Sequence, residues 1–133
     1  MHLYSIPQKR KGFFQSLSIT TQLIITNIII YFISLIIMGI YGPDFFSKYF
    51  ALTPSLILHG KSLWTIFTSI FLHGSFFHIF ANMFSLFFIG KFLEKIIGRK
   101  RFFWLYILSG ILGGIAFVSA SYFFNTNLSA VGA

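Results

Sequence analysis

Residues 69–98, SIFLHGSFFHIFANMFSLFFIGKFLEKIIG, decide how the rest of the chain is read. The run is apolar and long enough to cross a bilayer, yet it carries His73, His78, Asn82 and Glu94. Polar side chains in hydrocarbon are costly and mark function by default. His78 and Asn82 are four residues apart, so a helix sets them about 40° apart on one face, one turn after the other. Glu94 lies about 24 Å further along the same axis and belongs to the opposite membrane surface.

Working outward, the composition agrees with a membrane protein. Hydrophobic residues make up 56% of the 133 positions and charged residues 9%, against about 25% charged in a soluble domain. The length allows one domain at most. The net charge of +8 comes from ten basic residues set among twenty phenylalanines. They flank apolar runs as topology signals do, so the charge does not point to nucleic acid. With no cysteine there is neither a disulfide framework nor a thiolate metal site. The first long apolar run starts too late and runs too far for the core of a signal peptide.

In chain order, residues 1–18 form a basic tail containing Lys9, Arg10 and Lys11. Residues 19–40 form a first span of about 22 residues without a charge, enough for a 30 Å core. Asn27, its one strongly polar side chain, suits a bond to a neighbouring helix or to its own backbone. Gly42-Pro43-Asp44 then ends the helix. The first loop, residues 41–75, is apolar but broken by Lys48, Pro54, His59, Gly60 and Lys61. Short amphipathic helices lying in the interface fit it, with Tyr49, Phe50 and Trp64 at headgroup level. Gly60-Lys61 reads as a turn and His59 as a solvated loop residue.

Residues 76–97 form the second span, with Gly74-Ser75 as a break and N-cap. Residues 102–124 form the third, ended by Asn125-Thr126-Asn127. Its face of Ser109, Gly110, Gly113, Gly114, Ala116 and Ala120 suits packing against a neighbouring helix. Three basic residues precede the first span, and five surround the junction of the second and third: Lys91, Lys95, Arg99, Lys100 and Arg101. Only Lys48 and Lys61 fall in the first loop, so the N-terminus is expected in the cytoplasm and the first loop outside.

His73 and His78 are five residues apart, about 140° around a helix, and would not share a face. A zinc protease needs three protein ligands, and no such set is evident, so no metal or other cofactor is expected. A hydrolase embedded in a bilayer must hold a developing negative charge where water is scarce. Neutral donors such as an imidazole N–H and a carboxamide suit that task. His78 and Asn82 could converge on one oxygen in this way. Spacing alone favours an interhelical hydrogen-bonded pair over that role.

The pattern L-H-G-S-x-x-H-x-x-x-N-M-x-x-L-x-x-x-G-x-x-L-E-x-x-x-G, at residues 72–98, resembles the second transmembrane helix of rhomboid intramembrane serine proteases. The resemblance runs from about Ala51 to Ala133 and takes in the Trp64 neighbourhood and a third helix beginning R-F-F-W-L-Y-I-L-S-G. It implies an all-α membrane protein: three transmembrane helices of a rhomboid-type six-helix core, with an interfacial helical first loop. It further implies that His78 and Asn82 stabilise an oxyanion, and that Glu94 makes a structural polar contact near the cytoplasmic end. The family usually has Trp-Arg in the first loop; Thr65 follows Trp64 here, which questions the anchoring of that loop.

Gly132-Ala133 matches the first half of the family's G-x-S-G signature, in which the serine is the nucleophile. Residues 125–133 thus read as the start of the active-site loop, and the chain as the N-terminal part of a Ser-His dyad protease. Ser129 is no substitute for that serine. Without nucleophile and general base, the chain as given is expected to be inactive. The expected partners are transmembrane protein substrates, the lipid bilayer and the remaining helices of the same fold. The expected location is the plasma membrane of a bacterium. A non-catalytic rhomboid-like protein that binds transmembrane clients, and a small helical scaffold, are the alternatives.

Overall fold

The computed structural model describes residues 12–124, 126 and 130, leaving out the side chain of Gln15. Lys9, Arg10, Lys11, Asn125, Asn127, Ser129, Gly132 and Ala133, singled out above, lie outside the described residues. Three helices are long and apolar enough to cross a membrane: α1 (Ile19–Tyr41), α2 (Phe76–Ile97) and α3 (Arg99–Phe123). The chain is an all-α integral membrane protein.

α1 starts where Ser18 caps it, the serine Oγ accepting from the Thr21 N–H at 3.1 Å. It stops at Gly42, whose φ of 83° is a left-handed conformation that glycine adopts without strain. Pro43 then opens the short helix Pro43–Tyr49. Thr20, Leu23, Asn27, Tyr31 and Ser34 are buried. Their spacing of three and four makes a single seam facing the other spans. Asn27 meets both partners that its sequence position allowed, donating to Leu23 O at 2.8 Å and to Tyr106 Oη at 3.1 Å.

α2 is capped by Ser75, whose Oγ accepts from the His78 N–H at 3.2 Å. Its middle, Leu86–Gly90, is a π-helical turn, a widening often found at functional sites. Gly90 sits where three helices close. A Cβ there would lie 2.9 Å from Leu86 Cδ1, 3.1 Å from Phe102 Cζ and 3.2 Å from Thr20 Cγ2. Gly98, with φ 85°, both ends α2 and precedes α3. The third span therefore begins at Arg99 and not at Phe102, and the three consecutive cations form its first turn. A hydropathy boundary misses this turn because charged residues at a membrane surface remain helical when a single glycine makes the corner.

The first loop consists of the helical pieces Pro43–Tyr49, Pro54–Leu58, Thr65–Thr68 and a 3₁₀ turn, Ser69–Phe71. Lys61 N–H donates to Leu56 O at 2.8 Å around Gly60, whose φ is 70°, so the expected turn is present. His59 is exposed. Despite the missing arginine, the Trp64 region is tied down. Trp64 Nε1–H donates to Tyr49 O at 3.0 Å, and the fully buried Thr65 donates its Oγ1–H to Ser62 O at 2.7 Å.

The small-residue face of α3 is used for close packing. Among the described residues, the first loop packs on it at Gly110 and Gly114. A Cβ at Gly110 would fall 2.8–3.0 Å from the side chain of Ile70, and one at Gly114 3.3 Å from Leu52 Cδ2, whereas Gly113 has nothing within 4 Å. A loop can use such a face because what it offers is close approach, which any apolar side chain can exploit. Leu52 also pairs with Ala130 as an antiparallel bridge, each N–H donating to the other's carbonyl at 2.9 Å. The first loop thereby holds Ala130.

Candidate active site

The site is assembled at the start of α2. Leu72 is extended (φ −90°, ψ 144°), and the helix begins only at Phe76 behind the Ser75 cap. His73 therefore precedes the helix, and a helical wheel does not apply to it. The chain folds His73 back on the first turns of α2. Its ring meets that of His78 edge to face with centroids 5.2 Å apart, and its Nε2 lies 3.2 Å from Asn82 Nδ2. The structure thus contradicts the expectation that the two histidines lie on separate faces. His78 and Asn82 are one turn apart as expected, and the residue that joins them is His73. The Gly74-Ser75 break was the signal for it, since a residue ahead of a cap is free to double back.

The hydrogen bonds define the His73 tautomer. Its Nδ1 is 3.2 Å from Phe71 O, an acceptor only, so Nδ1 carries the proton. Nε2 is then the acceptor, and Asn82 Nδ2–H donates to it. His73 is 7% exposed. Burial pushes its pKa below the ordinary histidine value, and the neighbouring His78 acts in the same direction against the weaker pull of the Phe71 carbonyl. The ring is thus held neutral. His78 is half-buried, and among the described residues no side chain hydrogen-bonds to its imidazole.

His73 and Asn82 line one end of a groove of about 280 Å³ between α2 and α3, continued by Ser85, Tyr106 and Ser109. Its wall carries neutral hydrogen-bonding groups in an apolar setting, where such groups act most strongly.

Glu94, at the other end of α2, serves structure. It accepts from Ile19 N–H and Thr20 N–H, both at 2.8 Å, and from Thr20 Oγ1–H at 2.7 Å. A carboxylate at the start of a helix satisfies amides that lack intrahelical partners and suits the positive end of the helix dipole. Arg99 stands within electrostatic reach of it.

The rhomboid domain family model matches residues 60–133, more than half of the chain. Among curated proteins the chain is similar to RHOMBOID-like protein 1 of Arabidopsis thaliana, 45% identical over 65 residues, or 49% of this chain and 17% of that protein. It is 43% identical over 59 residues to Inactive RHOMBOID-like protein 8 of the same plant, covering 44% of this chain and 17% of the other. Rhomboid-like protease 1 of Toxoplasma gondii is 37% identical over 75 residues, 56% of this chain and 25% of that protein. The chain thus spans a quarter or less of the length of these relatives. No solved structure gives a significant match. Three apolar helices, a histidine–asparagine cluster at the head of the second, and a domain match over residues 60–133 place the chain in the rhomboid family.

Proposed function

We propose that this chain forms the oxyanion-binding part of a rhomboid-type intramembrane serine endopeptidase. That chemistry further needs a serine nucleophile and a histidine base. The observation that carries the reading is the link between His73 and Asn82 beside His78, at the mouth of a groove between two spans. Attack on a peptide carbonyl makes an oxyanion that needs preorganised neutral donors, and the carboxamide of Asn82 and the imidazole of His78 are such groups. Water then releases the acyl-enzyme. Transmembrane proteins are the substrates, and further helices of the same fold pack along the groove. Residues 41–75 act as the first loop, and residues 125–133, bridged to it through Ala130 and Leu52, open the active-site loop.

The protein lies in its membrane with the N-terminus in the cytoplasm and the first loop outside. The plant and Toxoplasma relatives lend no support to a bacterial location in particular.

The test uses the full-length protein. His78→Ala or Asn82→Ala lowers turnover of a transmembrane substrate by about 10–10³-fold while the fold is retained. Unchanged turnover in both variants removes these residues from the mechanism. A second reading, a non-catalytic protein that binds transmembrane clients, is favoured by the inactive relative. The residues following Ala133 discriminate: a serine and glycine completing the Gly132-Ala133 signature, with a histidine on a later helix, support the enzyme.

A further inference from the structure

At the end of the bundle opposite the histidines, a cavity of about 510 Å³ opens among Ser18, Thr21, Lys91, Glu94, Lys95 and Arg99. Its charges do not balance locally. The Glu94 carboxylate is 8% exposed and is turned toward the first amides of α1, with three hydrogen bonds from Ile19 and Thr20. Arg99 lies within its reach. Lys91 and Lys95 remain on the cavity wall, both exposed, and Lys100 and Arg101 stand just outside the cavity. No acidic residue occupies the first turn of α3, where Arg99, Lys100 and Arg101 face the positive end of the helix dipole. An anion matches Lys91 and Lys95 on the cavity wall.

A second observation says what kind of anion. Phe76, Phe80, Phe84 and Phe88 form a ladder on the exposed side of α2, with successive ring centroids 6.5, 6.1 and 4.8 Å apart. Phe88 meets Phe87 edge to face at 5.1 Å, and Lys91 Nζ lies 3.7 Å over the Phe87 ring. The apolar track thus runs along the exposed side of the span and ends at the cation that lines the cavity. Phe13 and Phe14, 84% and 48% exposed, precede α1 at the same end. An amphiphile fits this arrangement: acyl chain along the ring ladder, charged head at the lysines.

We propose that this cavity binds the phosphodiester headgroup of an anionic phospholipid, held by Lys91 and Lys95 with the hydroxyl groups of Ser18 and Thr21 at the rim. Basic pockets between spans at a membrane surface recognise such headgroups. The inference is independent of catalysis.

The test is native mass spectrometry of the full-length protein in detergent, with dioctanoyl phosphatidylglycerol, dioctanoyl phosphatidylcholine or inorganic phosphate added at equal ionic strength. The expected result is a one-to-one phosphatidylglycerol adduct that phosphate does not displace and that phosphatidylcholine does not form. The double variant K91Q/K95Q weakens it about thirty-fold, and K95Q alone about five-fold. K100Q/R101Q removes the same charge outside the cavity and changes binding by less than about two-fold, the size expected of a screened distant pair. All four side chains are exposed, so the fold survives these changes. Equal losses in the two double variants would mean a diffuse attraction to the cationic surface and would overturn the proposal. Displacement by phosphate would overturn it too, by making the ligand a soluble anion. Equal adducts with both lipids would do the same.

Discussion

His73 shows how one side chain sets the character of the site. Nδ1–H bound to the Phe71 carbonyl leaves Nε2 as an acceptor, and Asn82 Nδ2–H fills it. Protonation of Nε2 would set two donors against each other. Because burial holds the folded-state pKa below the usual value, the unfolded chain takes up the proton first as pH falls. Stability is therefore full above the unfolded value of about 6.5 and is lost as pH drops from there through the lower folded-state pKa. Unfolding in micelles between pH 8 and pH 5 checks this. His73→Gln removes the ring and flattens that limb of the profile; an unchanged limb assigns the titration to another group. Glu94 is the second decisive residue. Glu94→Gln turns a carboxamide N–H toward the amides of Ile19 and Thr20, at an expected cost of about 2–3 kcal/mol. Thermal or denaturant unfolding reads it, and Thr20→Val, which removes one of three bonds, costs about 1 kcal/mol.

Among the elements, the first loop and α3 are the pair whose fit is tightest. Ile70 is 2% exposed and seated on Gly110, and Leu52 is 2% exposed against Gly114. Gly110→Val forces side-chain atoms into a space where even a Cβ comes within 3.0 Å of Ile70, and costs about 1–3 kcal/mol by overpacking. Gly113→Val, three residues along the same helix, meets open space and is close to neutral, since valine is no poorer a helix former than glycine. Thermal unfolding, with limited proteolysis at Lys61 as a reporter of loop release, separates the two. Equal behaviour would show that the loop does not depend on this face. The contact also explains why the loop keeps its shape without an arginine after Trp64. Anchoring comes from Ile70, Leu52 and the Trp64–Tyr49 hydrogen bond instead.

For the whole molecule, charge asymmetry sets the expected orientation. On that expectation the Lys91-to-Arg101 corner is cytoplasmic and the loop carrying Lys48 and Lys61 is outside. The chain contains no cysteine, so single cysteines report topology without background. Lys61→Cys reacts with a membrane-impermeant maleimide in intact cells, and Lys100→Cys reacts only after permeabilisation. The reverse pattern would invert the orientation.

The sequence by itself determined the three spans, because uninterrupted apolar length in a bilayer leaves the backbone no alternative to helix. It also determined the corners at Gly42 and Ser75 and the one-turn spacing of His78 and Asn82 on α2, since caps and four-residue spacing are local. Tertiary structure alone decided what each polar group touches. Glu94 finds Ile19 75 residues away, His73 turns back across the Ser75 cap, Ile70 enters the face at Gly110, and Leu52 pairs with Ala130. Periodicity tells which side of a helix is polar or small. Which distant group arrives there is settled by how the three spans and the loop close on one another, and no repeat in the sequence encodes that.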